Sequence, residues 1–132
     1  MQDALLRRAA ARLAGDPRVL AVYGFGSRLD SGAVRPASDV DLAILVGRHL
    51  SLAEELDVRA EVVEELRRDD VDLVVLDHAP PLLRYEVVAT GRRLFTRHQR
   101  AAEVFEERTY REYFDTAYLR AVQRELLREA TR

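Results

Sequence analysis

The chain has 132 residues, 48% of them hydrophobic, which suits one folded domain of modest core and excludes a disordered chain. A formal net charge of −2 and a pI near 5.9 argue against a general nucleic-acid binder. The absence of cysteine removes disulfides, thiolate nucleophiles and cysteine-based zinc sites. All 21 basic residues are arginine and there is no asparagine, which reads as a coding bias of the source rather than as chemistry.

Asp3 to Leu13 has the apolar spacing of a short amphipathic helix that packs on the domain. Its arginine- and alanine-rich character resembles a transit peptide only superficially. Gly15-Asp16-Pro17 ends it. Val19 to Phe25 follows as an apolar, β-prone strand that stops at Gly26-Ser27. A Gly-Ser pair after a buried strand leaves backbone N–H groups and one hydroxyl free to hold phosphate oxygens.

A polar loop leads to a second strand, Asp39 to Val46. Asp39 and Asp41 are two apart, so on a strand their side chains leave the same face. Val40, Leu42, Ile44 and Val46 fill the other face. Two carboxylates side by side repel unless a cation lies between them, and a hard divalent ion with oxygen ligands, Mg²⁺ above all, answers that. Arg28 and Arg35 in the loop read as solvated.

Ser51-Leu52-Ala53-Glu54 is a capping-box pattern that opens a helix running to about Arg68. Val71 to Leu76 is a third strand, read as too apolar on both faces to lie at a sheet edge. Strand, helix, strand at this spacing marks a crossover unit, so the second and third strands belong to one mixed sheet. Asp72 then reaches the face of Asp39 and Asp41, and Asp77, on the opposite face, is the second choice for a third carboxylate.

Pro80-Pro81 precedes a short helix from Leu82 to Ala89, with Leu83, Val87 and Val88 inward. Arg93 to Thr96 is a last short strand at the sheet edge. Gln99 to Arg128 is helical, with Phe105, Tyr113 or Phe114, Ala117, Ala121 and Leu126 near one side, and serves either for packing or as a partner surface. The three histidines, His49, His78 and His98, lie beside turns and receive no role. No run is long enough to span a membrane, and the expected location is the cytoplasm.

Gly26-Ser27, a spacer and Asp39-Val40-Asp41-Leu42 together resemble the signature of the DNA polymerase β-type nucleotidyltransferase superfamily. Within it the chain most resembles the minimal nucleotidyltransferase (MNT) antitoxins of HEPN–MNT toxin–antitoxin pairs. The likeness extends to Val-Asp-Leu-Val around Asp72 and to Tyr113-Phe114-Asp115 in the tail. The spacer from Arg28 to Ser38 is one residue longer than is usual for that subfamily.

The resemblance implies an α/β (α+β) nucleotidyltransferase fold over 1–132, a small mixed sheet flanked by helices with a helical tail from about 98 to 130. It implies Asp39, Asp41 and Asp72 as catalytic and metal-holding residues, with two Mg²⁺ ions, and Gly26 and Ser27 as nucleotide-binding residues. It implies transfer of AMP from ATP to a tyrosine hydroxyl of a HEPN ribonuclease toxin in a hetero-oligomer. A small-molecule nucleotidyltransferase and a non-catalytic antitoxin that occludes its toxin are the alternatives. Asn at positions 39 and 41 separates the last, since occlusion would survive it and catalysis would not.

Overall fold

The computed structural model describes residues 2–26 and 40–131. The elements run α1 (Gln2–Leu13), β1 (Ala21–Gly24), β2 (Val40–Leu45), α2 (Leu52–Leu66), β3 (Val71–Val75), α3 (Pro81–Thr90), β4 (Arg92–Thr96), α4 (Gln99–Asp115) and α5 (Ala117–Ala130). A single 3-10 turn, Leu76–His78, links β3 to α3. The four strands form one mixed sheet in the order β3-β2-β1-β4. β1 runs antiparallel to both β2 and β4, whereas β2 and β3 are parallel across the α2 crossover.

Alternation along the strands splits the core into two layers. Val22, Val40, Leu42 and Ile44 pack with Leu13 of α1 and Val58 and Val62 of α2. Ala21, Tyr23, Ala43 and Leu45 pack with Val87 of α3 and Ala102 of α4. Each strand residue thus reports its layer by parity, as a period of two requires.

The capping box of α2 forms as its sequence predicts. The Ser51 hydroxyl accepts from the Glu54 N–H at 3.2 Å, and the Glu54 carboxylate accepts from the Ser51 N–H at 3.1 Å. Arg67 ends the helix in a left-handed conformation, φ 56°, one residue short of the expected Arg68.

β3 lies at the sheet edge, contrary to the reading of its apolar run. One face is covered by α2, which buries Val71 and Val75, but Leu73 and Val74 are only half-buried. The guanidinium of Arg59 donates to the carbonyls of Val71, at 3.1 Å, and Asp69, at 2.8 Å, and so covers part of the open edge.

Asp16, Arg18 and Glu61 form a charged cluster. Asp16 is buried, and its carboxylate is gripped by Arg18 through Nε at 3.0 Å and Nη2 at 2.8 Å. That pairing holds Asp16 well below the usual carboxylate range. Burial, and then the Asp16 carboxylate beside it, push Glu61 up to about 7, against the nearby Arg18 and Arg12. The Glu61 Oε2 atom has no hydrogen-bond partner among the described residues.

A carboxyl whose folded pKa is raised contributes stability that is complete below its unfolded value of 4.5 and is lost as pH rises through 7. Glu61→Gln is therefore expected to be more stable than wild type at pH 8 by roughly 1–2 kcal/mol, allowing for solvent screening. The gain should vanish near pH 4.5, and Tm measured for both proteins across that range checks it. Equal Tm values at pH 8 would contradict the assignment.

Candidate active site

The N-terminal ends of the parallel strands β2 and β3 lie side by side, and the antiparallel β1 delivers its C-terminal end to the same edge of the sheet. Asp41 is the second residue of β2 and Asp72 the second of β3, and they are register partners. Neighbouring strands are about 4.8 Å apart, so in-register side chains of two parallel strands emerge next to each other on one face. Parity puts that face on the side of Ala43 and Val74, beneath α3 and α4. Asp41 is 2% exposed whereas Asp72 is exposed, so the pair has one arm in the fold and one in solvent.

Val40 and Leu42, on either side of Asp41, are fully buried in the opposite layer and fix the direction in which its side chain leaves. On the β1 side, the Phe25 N–H donates to the Asp41 carbonyl at 3.2 Å, which ties the exit of β1 to the entrance of β2. Gly26 follows directly. Ser27 and Asp39, and with them Arg28 and Arg35, lie outside the described residues. Among the described residues no group of three or more potential metal ligands assembles. Asp41 and Asp72 nonetheless offer adjacent hard oxygen donors of like charge, the donor set that a hard divalent cation fits.

The strand leading into Gly26 is clamped by close backbone approach. A Cβ at Gly91, just beyond α3, would sit 2.5 Å from the Val87 carbonyl oxygen and 2.7 Å from that of Gly24. Both obstacles are backbone and cannot swing away. Gly91→Ala is expected to cost about 1–3 kcal/mol of stability. Denaturant unfolding checks this, and an unchanged midpoint would show that α3 gives way freely.

Tyr23 shares the face of Asp41, one strand over. Its buried hydroxyl donates to the Glu106 carboxylate at 2.6 Å, and Arg93 of β4 lies 3.3 Å from the same carboxylate. Burial first, and Glu106 second, raise the Tyr23 phenol well above its ordinary value, so it stays protonated. The trio fastens α4 onto the sheet beside the carboxylate pair.

Asp77, the second choice from the sequence, has a different part. Its carboxylate accepts from the N–H groups of Val46 at 2.8 Å and Gly47 at 2.7 Å, at the other end of β2. It closes the C-terminal end of the strand and is not beside Asp41. A cavity of about 350 Å³ at that end, reached by Leu20, Leu45 and Phe105, is likewise remote from the carboxylate pair.

Sequence reading missed the Tyr23–Glu106–Arg93 trio, because its members lie up to 83 positions apart and carry no local pattern. It also gave His98 no role, yet the Nδ1 of His98 accepts from the Ala101 N–H at 3.1 Å and caps α4. A polar residue just before a helical run was the available signal for that cap.

A model of the family "Polymerase beta, Nucleotidyltransferase" matches residues 9–100. Among solved structures, a chain of the tri-AMPylated Shewanella oneidensis HEPN toxin in complex with MNT antitoxin is similar at 26% identity. That superposition has a TM-score of 0.71 and covers 100% of each chain. A toxin–antitoxin structure with AMP-PNP is similar at 25% identity and TM-score 0.67, covering 92% of this chain and 94% of that one. The toxin–antitoxin MntA-HepT, at 24% identity and TM-score 0.69 over 98% and 99% of the chains, shares the fold. No curated protein matches the sequence.

Proposed function

This chain belongs to the polymerase beta nucleotidyltransferase family, and on that premise we propose that it is an antitoxin acting as a protein adenylyltransferase. The donor is ATP, and the acceptor is a tyrosine hydroxyl of a HEPN-type toxin. The observation that carries the reading is the in-register placement of Asp41 and Asp72, with the exit of β1 at Phe25 tied to Asp41. Two similar structures support the rest: one holds a tri-AMPylated HEPN toxin with its MNT antitoxin, the other AMP-PNP.

In this proposal Asp39 and Asp41 hold Mg²⁺ and Asp72 completes the set, while the Gly26 backbone and the Ser27 hydroxyl position the triphosphate. Bound Mg²⁺ would neutralise phosphate charge and polarise the α-phosphorus. Asp72, the exposed member, faces incoming acceptor and takes the proton of its hydroxyl. The acceptor oxygen forms a bond to the α-phosphorus, the bond from that phosphorus to the β-phosphate bridging oxygen breaks, and pyrophosphate leaves. The buried Asp41 keeps the donor side of the site fixed while the acceptor arrives from solvent.

The proposal takes residues 1–132 as one working domain located in the cytoplasm. No helix among the described residues is long and apolar enough to cross a membrane. The acceptor is supplied by a partner protein in a hetero-oligomer. Label placed on the α-phosphate of ATP should appear on the toxin, and label on the γ-phosphate should not. Label on the toxin from the γ-phosphate would mean phosphoryl transfer and would overturn the assignment.

A further inference from the structure

A groove follows α4 at the end of β2 opposite the carboxylate pair. It consists of two adjoining cavities, of about 350 and 320 Å³, that share Asp77, Phe105 and Arg108 on their walls. Leu20, Leu45, Val104 and Phe105 give the larger cavity an apolar wall. Leu45 is four residues beyond Asp41 on β2, about 13 Å along the strand, so the groove and the carboxylate pair are separate places.

The charged groups around the groove are unequally matched. Both of its carboxylates are engaged: Asp77 accepts from the N–H groups of Val46 and Gly47, and Glu112 accepts from Arg84 at 2.9 Å. Arg100 and Arg108 line the larger cavity, yet neither guanidinium has a hydrogen-bond or ion-pair partner among the described residues. Elsewhere in the fold arginines are paired, as Arg18 is with Asp16, Arg48 with Glu54 and Arg93 with Glu106.

The two free arginines are eight residues apart on one helix, about 12 Å along its axis, with Val104 midway between them. His98 lines the same cavity. Its Nδ1 accepts from the Ala101 N–H, so the proton of the neutral ring stays on Nε2 as a further donor. An apolar wall flanked by donors is the lining that an anion with an apolar body fits.

We propose that this groove binds a small organic phosphate. The phosphoryl group lies between Arg100 and Arg108, and an apolar or aromatic group lies against Leu45, Val104 and Phe105. Guanidinium matches phosphate oxygens bidentately. A phosphate monoester carries a charge of about −1.5 to −2 at pH 7, enough to engage both guanidiniums, whereas a carboxylate would engage one. The site is separate from the proposed transfer chemistry and needs neither Asp41 nor Asp72.

The test is calorimetric titration of phenyl phosphate into the full chain, in buffer free of divalent metal, with inorganic phosphate and benzoate as comparisons. Phenyl phosphate should bind at one site, at least about 10-fold more tightly than inorganic phosphate, because its ring is taken out of water. It should exceed benzoate by a similar factor, because benzoate carries less charge. Arg100→Gln with Arg108→Gln should weaken binding at least about 10-fold with Tm unchanged, since both side chains are exposed. Asp41→Asn should bind as wild type does. In amide NMR spectra the shifted resonances should centre on Ala101 to Arg108.

No saturable binding, or unchanged affinity in the double glutamine variant, would overturn the inference. So would inorganic phosphate or benzoate binding as tightly as the phenyl ester, or amide shifts centred on Asp41 and Asp72. None of these readouts involves a toxin or turnover, so failure of the proposed adenylate transfer and failure of this site are told apart.

Discussion

Asp41→Asn is expected to lower kcat for adenylate transfer by at least about 10³-fold while the protein stays folded. In the proposed site Asp41 holds Mg²⁺, and its loss would remove several kcal/mol of transition-state charge stabilisation, each 1.36 kcal/mol being tenfold in rate. Asparagine keeps the shape of the buried side chain and one of its oxygens, and Val40 and Leu42 hold the strand from the opposite layer, so the local fold is retained. Asp72→Asn should give a loss of the same order. Because Asp72 is exposed, that variant should also leave the unfolding midpoint where it is. Single-turnover kinetics with ATP and toxin, read beside denaturant curves for both variants, checks this pair. Activity within tenfold of wild type in either one would remove that residue from the proposed site.

Asp77→Ala is expected to do the reverse. Two backbone N–H groups, those of Val46 and Gly47, lose the carboxylate that accepts from them, and Val46 is buried. Hydrogen bonds to a charged acceptor are worth about 1.5–3 kcal/mol each, and the Gly47 N–H can turn to water, so the expected loss is about 3 kcal/mol. For a chain of this size that corresponds to a fall in Tm of roughly 10 °C. At a temperature well below the transition, kcat should be that of wild type, because Asp77 stands at the opposite end of β2 from Asp41. A large fall in kcat with an unchanged Tm would mean that the roles of Asp72 and Asp77 have been exchanged.

The contrast between these aspartates shows what could be read from the chain. The shared face of Asp41 and Asp72 was legible because a strand has a period of two and a crossover helix brings parallel strands together. The Ser51–Glu54 cap was legible because its partners lie within one turn. The place of β3 was not, since strand order depends on which neighbours β1 and β4 take. An apolar strand covered on one face by α2 and braced by Arg59 tolerates an edge.

The role of Asp77 was hidden because its partners are 30 and 31 positions away. The tail read as one helical pattern from Gln99 to Arg128, with no glycine or proline between Gln99 and Asp115 or beyond to mark a division. The structure divides it at Thr116, whose hydroxyl donates to the carbonyls of Glu112 and Tyr113. α4 packs through Ala102 and Thr109, whereas Ala121 and Leu126, read from the sequence as lying near one side of the tail, are exposed on α5.

The central claim, a nucleotidyltransferase that modifies a protein, is tested most directly by the intact mass of the HEPN toxin. The toxin is incubated with this protein, ATP and Mg²⁺ and then weighed. A gain of whole adenylate units, absent when Asp41→Asn replaces the wild-type protein, is the expected result. An unchanged toxin mass, in a mixture where the two proteins form a stable complex, would contradict catalysis and leave an antitoxin that works by occlusion.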